Sequence, residues 1–159
     1  GRHKAECERL IAEATGGDAL ILRLIHVWGE EAKGKNFVYQ VSRANLAGDE
    51  LHVSSVHSGN PTWAGDVATW TLGLLQRQAQ GIWHLAGDCP QLTRHAWARE
   101  ILQGLQGLGQ TERVRLVVQA AVDPAATPRP LASGLDTSKI QTFIPLVCRA
   151  AHDLPISFR

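Results

Sequence analysis

The sequence has 159 residues, 44% of them hydrophobic and 19% charged, a composition that supports a globular domain and excludes a disordered chain. With 16 basic residues against 15 acidic ones the formal charge is +1, so nothing electrostatic points to nucleic acid or to an anionic membrane. No apolar run nears the roughly 18–20 residues that span a bilayer. Cys7, Cys89 and Cys148 are scattered and form no CxxC pair, which argues against a disulfide scaffold or a zinc ribbon and fits a cytoplasmic protein with reduced thiols. Met is absent even at position 1, and Gly1-Arg2-His3-Lys4 lacks the apolar core of a secretory signal. The expectation is an internal piece of a longer chain, or a processed product.

Cys7, Leu10, Ile11 and Ala14 recur at helical spacing, so residues 1–14 are expected to form a helix that ends at Gly16-Gly17-Asp18. The dense apolar run 19–28 reads as one buried strand, of the kind found in parallel sheets covered on both faces. A polar loop leads to a helix over 36–46, with Phe37, Val41 and Ala44 turned inward. A short strand is expected over 51–55. Ser58-Gly59-Asn60-Pro61 breaks the chain, and Pro61 suits the first turn of a helix carrying Val67, Trp70 and Leu74. Residues 81–87 form another apolar strand. Thr93 is a good N-cap for a helix that aligns Trp97, Ile101, Leu102 and Leu105. A strand over 114–118, a passage containing Pro124, Pro128 and Pro130, and a short helix over 137–143 complete the pattern. Strands alternating with helices predict an α/β architecture.

Two partial motifs are set aside. Gly29-Glu30-Glu31-Ala32-Lys33-Gly34-Lys35-Asn36 nearly spells a phosphate-binding loop. It has Asn36 where a magnesium-binding Ser or Thr belongs, and it places Glu30 and Glu31 beside the would-be phosphates. Asp88, Cys89 and His95 lack metal-ligand spacing, so no metal is expected. Neither a GxSxG elbow nor a glycine-rich dinucleotide fingerprint occurs; the latter is expected upstream of Gly1.

Several motifs in order carry a family resemblance. Gly1-Arg2-His3-Lys4 with Glu8 resembles the segment after the active-site tyrosine of extended short-chain reductases, where a Tyr-x-x-x-Lys pair is followed by a glutamate. Leu22-Arg23 through Val27-Trp28-Gly29 is similar to a Leu-Arg-x-x-x-Val-Tyr-Gly run. Asn36-Phe37-Val38, the stretch Gly59-Asn60-Pro61-Thr62 to Asp66, and Gly81-Ile82-Trp83-His84-Leu85-Ala86-Gly87 match further signatures. Arg129-Pro130 with Leu135-Asp136-Thr137-Ser138-Lys139 resembles the family's ending. Together they resemble the dTDP-4-dehydrorhamnose reductase family, its C-terminal half only.

That resemblance implies the end of a Rossmann-type fold, an incomplete parallel sheet with a small substrate lobe. Residues 1–30 would be the last helix and strand of the dinucleotide-binding domain. Residues 31–159 would be the nucleotide-sugar lobe, with 81–87 returning to the sheet. It implies NADPH or NADH as cofactor, a nucleotide-sugar substrate, and reduction of a dTDP-4-keto-6-deoxy sugar as in dTDP-L-rhamnose biosynthesis. A homodimer is compatible with it; membrane and nucleic acid are not implied as partners. Lys4 would hold the nicotinamide ribose and lower the pKa of a tyrosine one turn earlier. His26 stands where relatives carry Trp or Asn beside the sugar. Asn36 and Phe37 would line the nucleotide pocket, and Arg129 would take the diphosphate. Without the tyrosine, the chain by itself is expected to be inactive. Two other readings share the scaffold: a non-catalytic regulatory subunit like the β subunit of methionine adenosyltransferase, and a nucleotide-sugar epimerase or dehydratase.

Overall fold

The computed structural model describes residues 1–88, 90–122, 125, 127–145 and 147–158, so Cys89 and Pro124 lie outside the described residues. The first elements in chain order are α1 (Arg2–Ala14), β1 (Leu20–Leu24), β2 (Val27–Trp28), α2 (Phe37–Ala47), β3 (Glu50–Ser54), β4 (Ser58–Gly59) and β5 (Thr62–Trp63). They are followed by α3 (Ala64–Gln76), β6 (Gly81–Leu85), β7 (Leu92–Thr93), α4 (Arg94–Gly107), β8 (Arg115–Gln119) and α5 (Ser138–Gln141). Two parallel pairs form the frame. β1 runs beside β6 from Leu20↔Gly81 to Leu24↔Leu85, and β3 beside β8 from Glu50↔Arg115 to Ser54↔Gln119. The class is α/β, as the alternation of elements predicts. Among the described residues no helix is long and apolar enough to cross a membrane.

The run 19–28, expected as one strand covered on both faces, divides in two. His26 adopts φ 46, a left-handed conformation uncommon outside glycine, and a pleated strand cannot continue through it. The His26 carbonyl accepts the Thr62 N–H at 3.2 Å, and the chain resumes as β2, paired in parallel with β5. No residue of β1 is fully buried. One of its edges carries β6, and the other carries no strand among the described residues. α3 begins three residues later than Pro61 suggests, because Thr62 and Trp63 are drawn into that pairing first.

Capping side chains fix the helices that matter most. Asn36 accepts from the N–H groups of Val38 and Tyr39 at the start of α2, and Gly48 ends it in a left-handed turn at φ 73. Thr93 accepts the Ala96 N–H at 3.1 Å and starts α4. α2 and α4 then face each other across Val38, Val41, Ile101, Leu102 and Leu105, all at most 1% exposed, with Trp97 at 2%. Each such side chain contributes roughly 1.5–3 kcal/mol of burial. Asn45 ties this core to the approach of β8, its amide oxygen accepting from the N–H groups of Arg113 and Val114 at 2.7 and 3.2 Å. A second, smaller core joins Trp70 and Leu74 of α3 to Trp83 and Leu85 of β6 and Ile140 of α5.

Candidate functional site

Where β1 breaks, a cavity of about 420 Å³ opens between the His26–Val27 segment, α2, β3 and α4. Three residues singled out from the sequence, His26, Asn36 and Phe37, meet on its wall. The left-handed turn at His26 lays the imidazole against the Trp97 ring, with centroids 5.9 Å apart and planes 28° from parallel. Gly59 leaves room for it: a Cβ there would lie 2.5 Å from His26 Cε1 and 2.6 Å from Nδ1. Phe37 and Trp97 form an aromatic shelf, their centroids 5.0 Å apart. Asn36 is engaged locally. Its Oδ1 caps α2, its Nδ2 donates to the Gly29 carbonyl at 2.7 Å, and its backbone N–H donates to Glu31.

Among the described residues the wall is cationic: Lys35 and Arg94 line it, together with the neutral polar groups of Gln40, His52 and Ser54, and no Asp or Glu does. The Arg94 guanidinium lies over the shelf, 4.7 Å from the Phe37 centroid and 5.0 Å from that of Trp97. Burial lowers the Arg94 pKa from its ordinary value, and the positive charge of Arg129 lowers it further. Arg129 itself is exposed, on the loop leading to Leu131; the Leu131 carbonyl accepts the Ser58 N–H at 2.7 Å and holds that loop beside β4. The His26 pKa is pushed down to about 4, by burial first and then by Arg94, so the ring is neutral at pH 7. Its buried Nδ1 has no hydrogen-bond partner among the described residues.

Lys4 occupies a different hollow. About 550 Å³ in volume, it lies between the start of α1 and the C-terminal end of β1 and is lined by Gly1, Lys4, Glu8, Arg23, Leu24 and Leu135. Glu8 is committed to Arg23, which donates to it at 2.6 and 2.8 Å, and that pairing lowers the Glu8 pKa. Leu24 and His26, two residues apart, mark the two hollows at the carboxyl end of one strand, the position where open α/β sheets take their ligands.

The RmlD substrate binding domain profile matches residues 1–152. A dTDP-4-dehydrorhamnose reductase from Aggregatibacter actinomycetemcomitans is 32% identical over 149 residues, covering 89% of this chain and 49% of that protein. The chain belongs to the dTDP-4-dehydrorhamnose reductase family. It spans about half the length of the curated relatives it matches. Two solved dTDP-4-dehydrorhamnose reductases share the fold. The Yersinia enterocolitica structure has a TM-score of 0.79 at 18% identity, covering 99% of this chain and 55% of that one. The Bacillus anthracis structure, in complex with NADP, has a TM-score of 0.73 at 17% identity, covering 91% and 49%.

The family motifs led to His26, Asn36 and Phe37 but not to Arg94, Lys35 or Gln40, and Trp97 was expected only as core. One signal for Arg94 is present in the sequence. It occupies the first position of α4, immediately after the Thr93 cap, where a cation opposes the positive end of the helix dipole. A residue placed against the local electrostatics is worth examining for a ligand role.

Proposed function

We propose that this chain supplies the nucleotide-sugar pocket and the active-site lysine of an NAD(P)H-dependent reductase of dTDP-4-keto-6-deoxy sugars. The observation that carries this reading is the pair of hollows at the end of β1, one holding Lys4 and the other an aromatic, cationic wall with no carboxylate among the described residues. In this division residues 1–30 complete the dinucleotide-binding domain and 31–159 form the substrate lobe, with 81–87 in the sheet.

NADPH or NADH, when bound, supplies the hydride that reaches the keto carbon, and a proton reaches the keto oxygen. Lys4 suits the cofactor side: its ammonium faces an open hollow, and among the described residues no acid pairs with it. There it would donate to a ribose hydroxyl and favour the ionised form of a tyrosine preceding Gly1. His26 would meet the sugar as a neutral ring. Phe37 and Trp97 would flank the planar or apolar part of the ligand, and Arg129 would neutralise diphosphate charge. The single tyrosine of this chain, Tyr39, packs against Phe158 at 4.6 Å, so the chain by itself is expected to give no turnover.

Tryptophan fluorescence tests the reading, because Trp97 lines the pocket. A dTDP-sugar titrated into the folded chain should give a saturable change. No change at millimolar dTDP-sugar would overturn the assignment, and so would ketosugar reduction by this chain alone.

A further inference from the structure

Residues 147–158 lie along the closed core and grip both sides of the loop that leads into α2. At the start of this strap the Arg149 N–H donates to the Asp66 carboxylate in the first turn of α3 at 2.8 Å, and the Arg149 guanidinium covers the Trp63 ring at 4.8 Å. Trp63 in turn packs on Trp28, the residue that opens the loop. In the middle, Ala151 and Leu154 are buried in the α2–α4 core, and His152 Nδ1 meets the Glu100 carboxylate of α4 at 2.7 Å. At the end, a short turn over Ile156–Phe158 sets Phe158, 2% exposed, against the Tyr39 ring of α2. The Phe158 carbonyl accepts from Gln110 at 3.1 Å, and the Ser157 hydroxyl donates to Glu30 at 2.5 Å.

α2 holds the far half of the loop by itself: Arg43 donates to the Gly34 carbonyl at 2.7 Å and Gln40 to the Lys35 carbonyl at 2.8 Å. The near half, at Glu30, is held from the strap. Gly104 of α4 makes the docking possible. A Cβ there would collide with the His152 carbonyl oxygen and lie 2.8 Å from Leu154 Cγ, and a backbone oxygen cannot swing aside as a side-chain tip can. Leu154 and Phe158 lie past residue 152, outside the stretch that the family profile matches. We propose that residues 147–158 are a clasp, docked on α4 at Gly104, that holds the 29–36 loop and with it Lys35 and Asn36 in the cavity wall. Ser157 and Phe158 are positioning residues, since neither lines the cavity. The clasp holds whatever ligand the cavity takes, so it does not depend on the nucleotide-sugar reading.

The test is limited trypsin digestion of the whole chain without ligand, read by mass spectrometry and set beside urea denaturation. Lys33 and Lys35 are exposed cleavage sites in the loop, and Arg9 of α1 is the reference site. In a solvated helix interior Gly→Ala is stabilising, because alanine is the better helix former. Against a docked strap the sign reverses. Gly104→Ala should lower the urea midpoint and speed cleavage after Lys33 and Lys35 by about tenfold, with cleavage after Arg9 unchanged. A raised midpoint would overturn the inference, because the strap would then not lie on α4. So would unchanged cleavage of the loop, or acceleration by equal factors at all three sites, which would reduce the strap to general packing. If Gly104→Ala does not fold, Ser157→Ala decides. It removes the bond to Glu30 without creating a collision and should speed cleavage after Lys33 and Lys35 by about threefold; an unchanged rate overturns the clasp.

Discussion

The α2–α4 core and the α1–β1 face of this chain differ in how completely they are closed. Around α2 and α4 the inward residues are sealed: Ile101 is 0% exposed and Leu105 1%. Along α1 and β1 no residue is fully buried, and Leu10 is 50% exposed. The helices are similar in length, and both carry an apolar stripe at helical spacing. What separates them is the partner. α4 has α2, β3 and β7 against it, whereas α1 is tied by Glu8 to Arg23 of β1, a strand that pairs on one edge alone among the described residues. The candidate site straddles this divide. The wall formed by Phe37 and Trp97 packs into the closed core, while Lys4 stands on the open part. On the proposed reading, nucleotide binding is expected of this chain alone and hydride transfer is not.

The largest expected effect lies in the closed core. Leu102→Ala removes a side chain that is 1% exposed between α2 and α4, and the surrounding side chains cannot collapse fully into the gap. A loss of about 3 kcal/mol is expected by urea denaturation, along with weaker ligand binding, because Trp97 leans on the same packing. A loss under about 1 kcal/mol would mean that this core is as loose as the α1 face, and the contrast would fail.

Legibility in the sequence follows the same division. α2 and α4 could be read directly: an apolar period of 3.6, a side-chain cap at Asn36 or Thr93, and a glycine at position 48 all agree, and their partners lie within the chain. The break at His26 could not be read. A single left-handed residue inside an apolar run leaves no periodic trace, and no glycine marks it. The start of α3 was displaced because the β2–β5 pairing claims two residues that local propensity assigns to a helix. Ordered motifs marked His26, Asn36 and Phe37, which line the first cavity, Lys4, which lines the second, and Arg129, which lies on an exposed loop. The cavity itself forms only when segments near residues 26, 36, 53 and 94 converge, and no spacing rule encodes that convergence.

An intermediate effect sits at the seam between the two regions. The folded-state pKa of His26 is about 4, below the ordinary value of 6.5. Between those values the unfolded chain binds a proton that the folded ring, facing Arg94 and Trp97, refuses. Stability should therefore fall as pH drops from about 6.5 toward 4, by on the order of 2 kcal/mol, and level off below that. The lowered carboxyl pKa values of Glu8 and Asp136 act in the same direction, but only below about pH 4.5. The window from pH 5 to 6.5 thus isolates His26. His26→Gln should flatten the slope there in thermal melts; an unchanged slope would show that the imidazole is already well solvated.

The smallest expected effect is the most informative about the open region. Leu10 lies on the stripe of α1 that the sequence marks as inward, and yet half of it meets solvent. Leu10→Gln keeps good helix propensity and leaves the nearby Arg9–Glu6 pair untouched. If the stripe is as uncovered as it stands, the substitution removes little burial, and the midpoint of thermal unfolding should move by no more than about 0.5 kcal/mol equivalent. A cost of 2 kcal/mol or more would require a partner over α1 in solution, which self-association would supply. In that case the loss should grow on dilution, because a shared interface weakens with concentration and an intramolecular core does not.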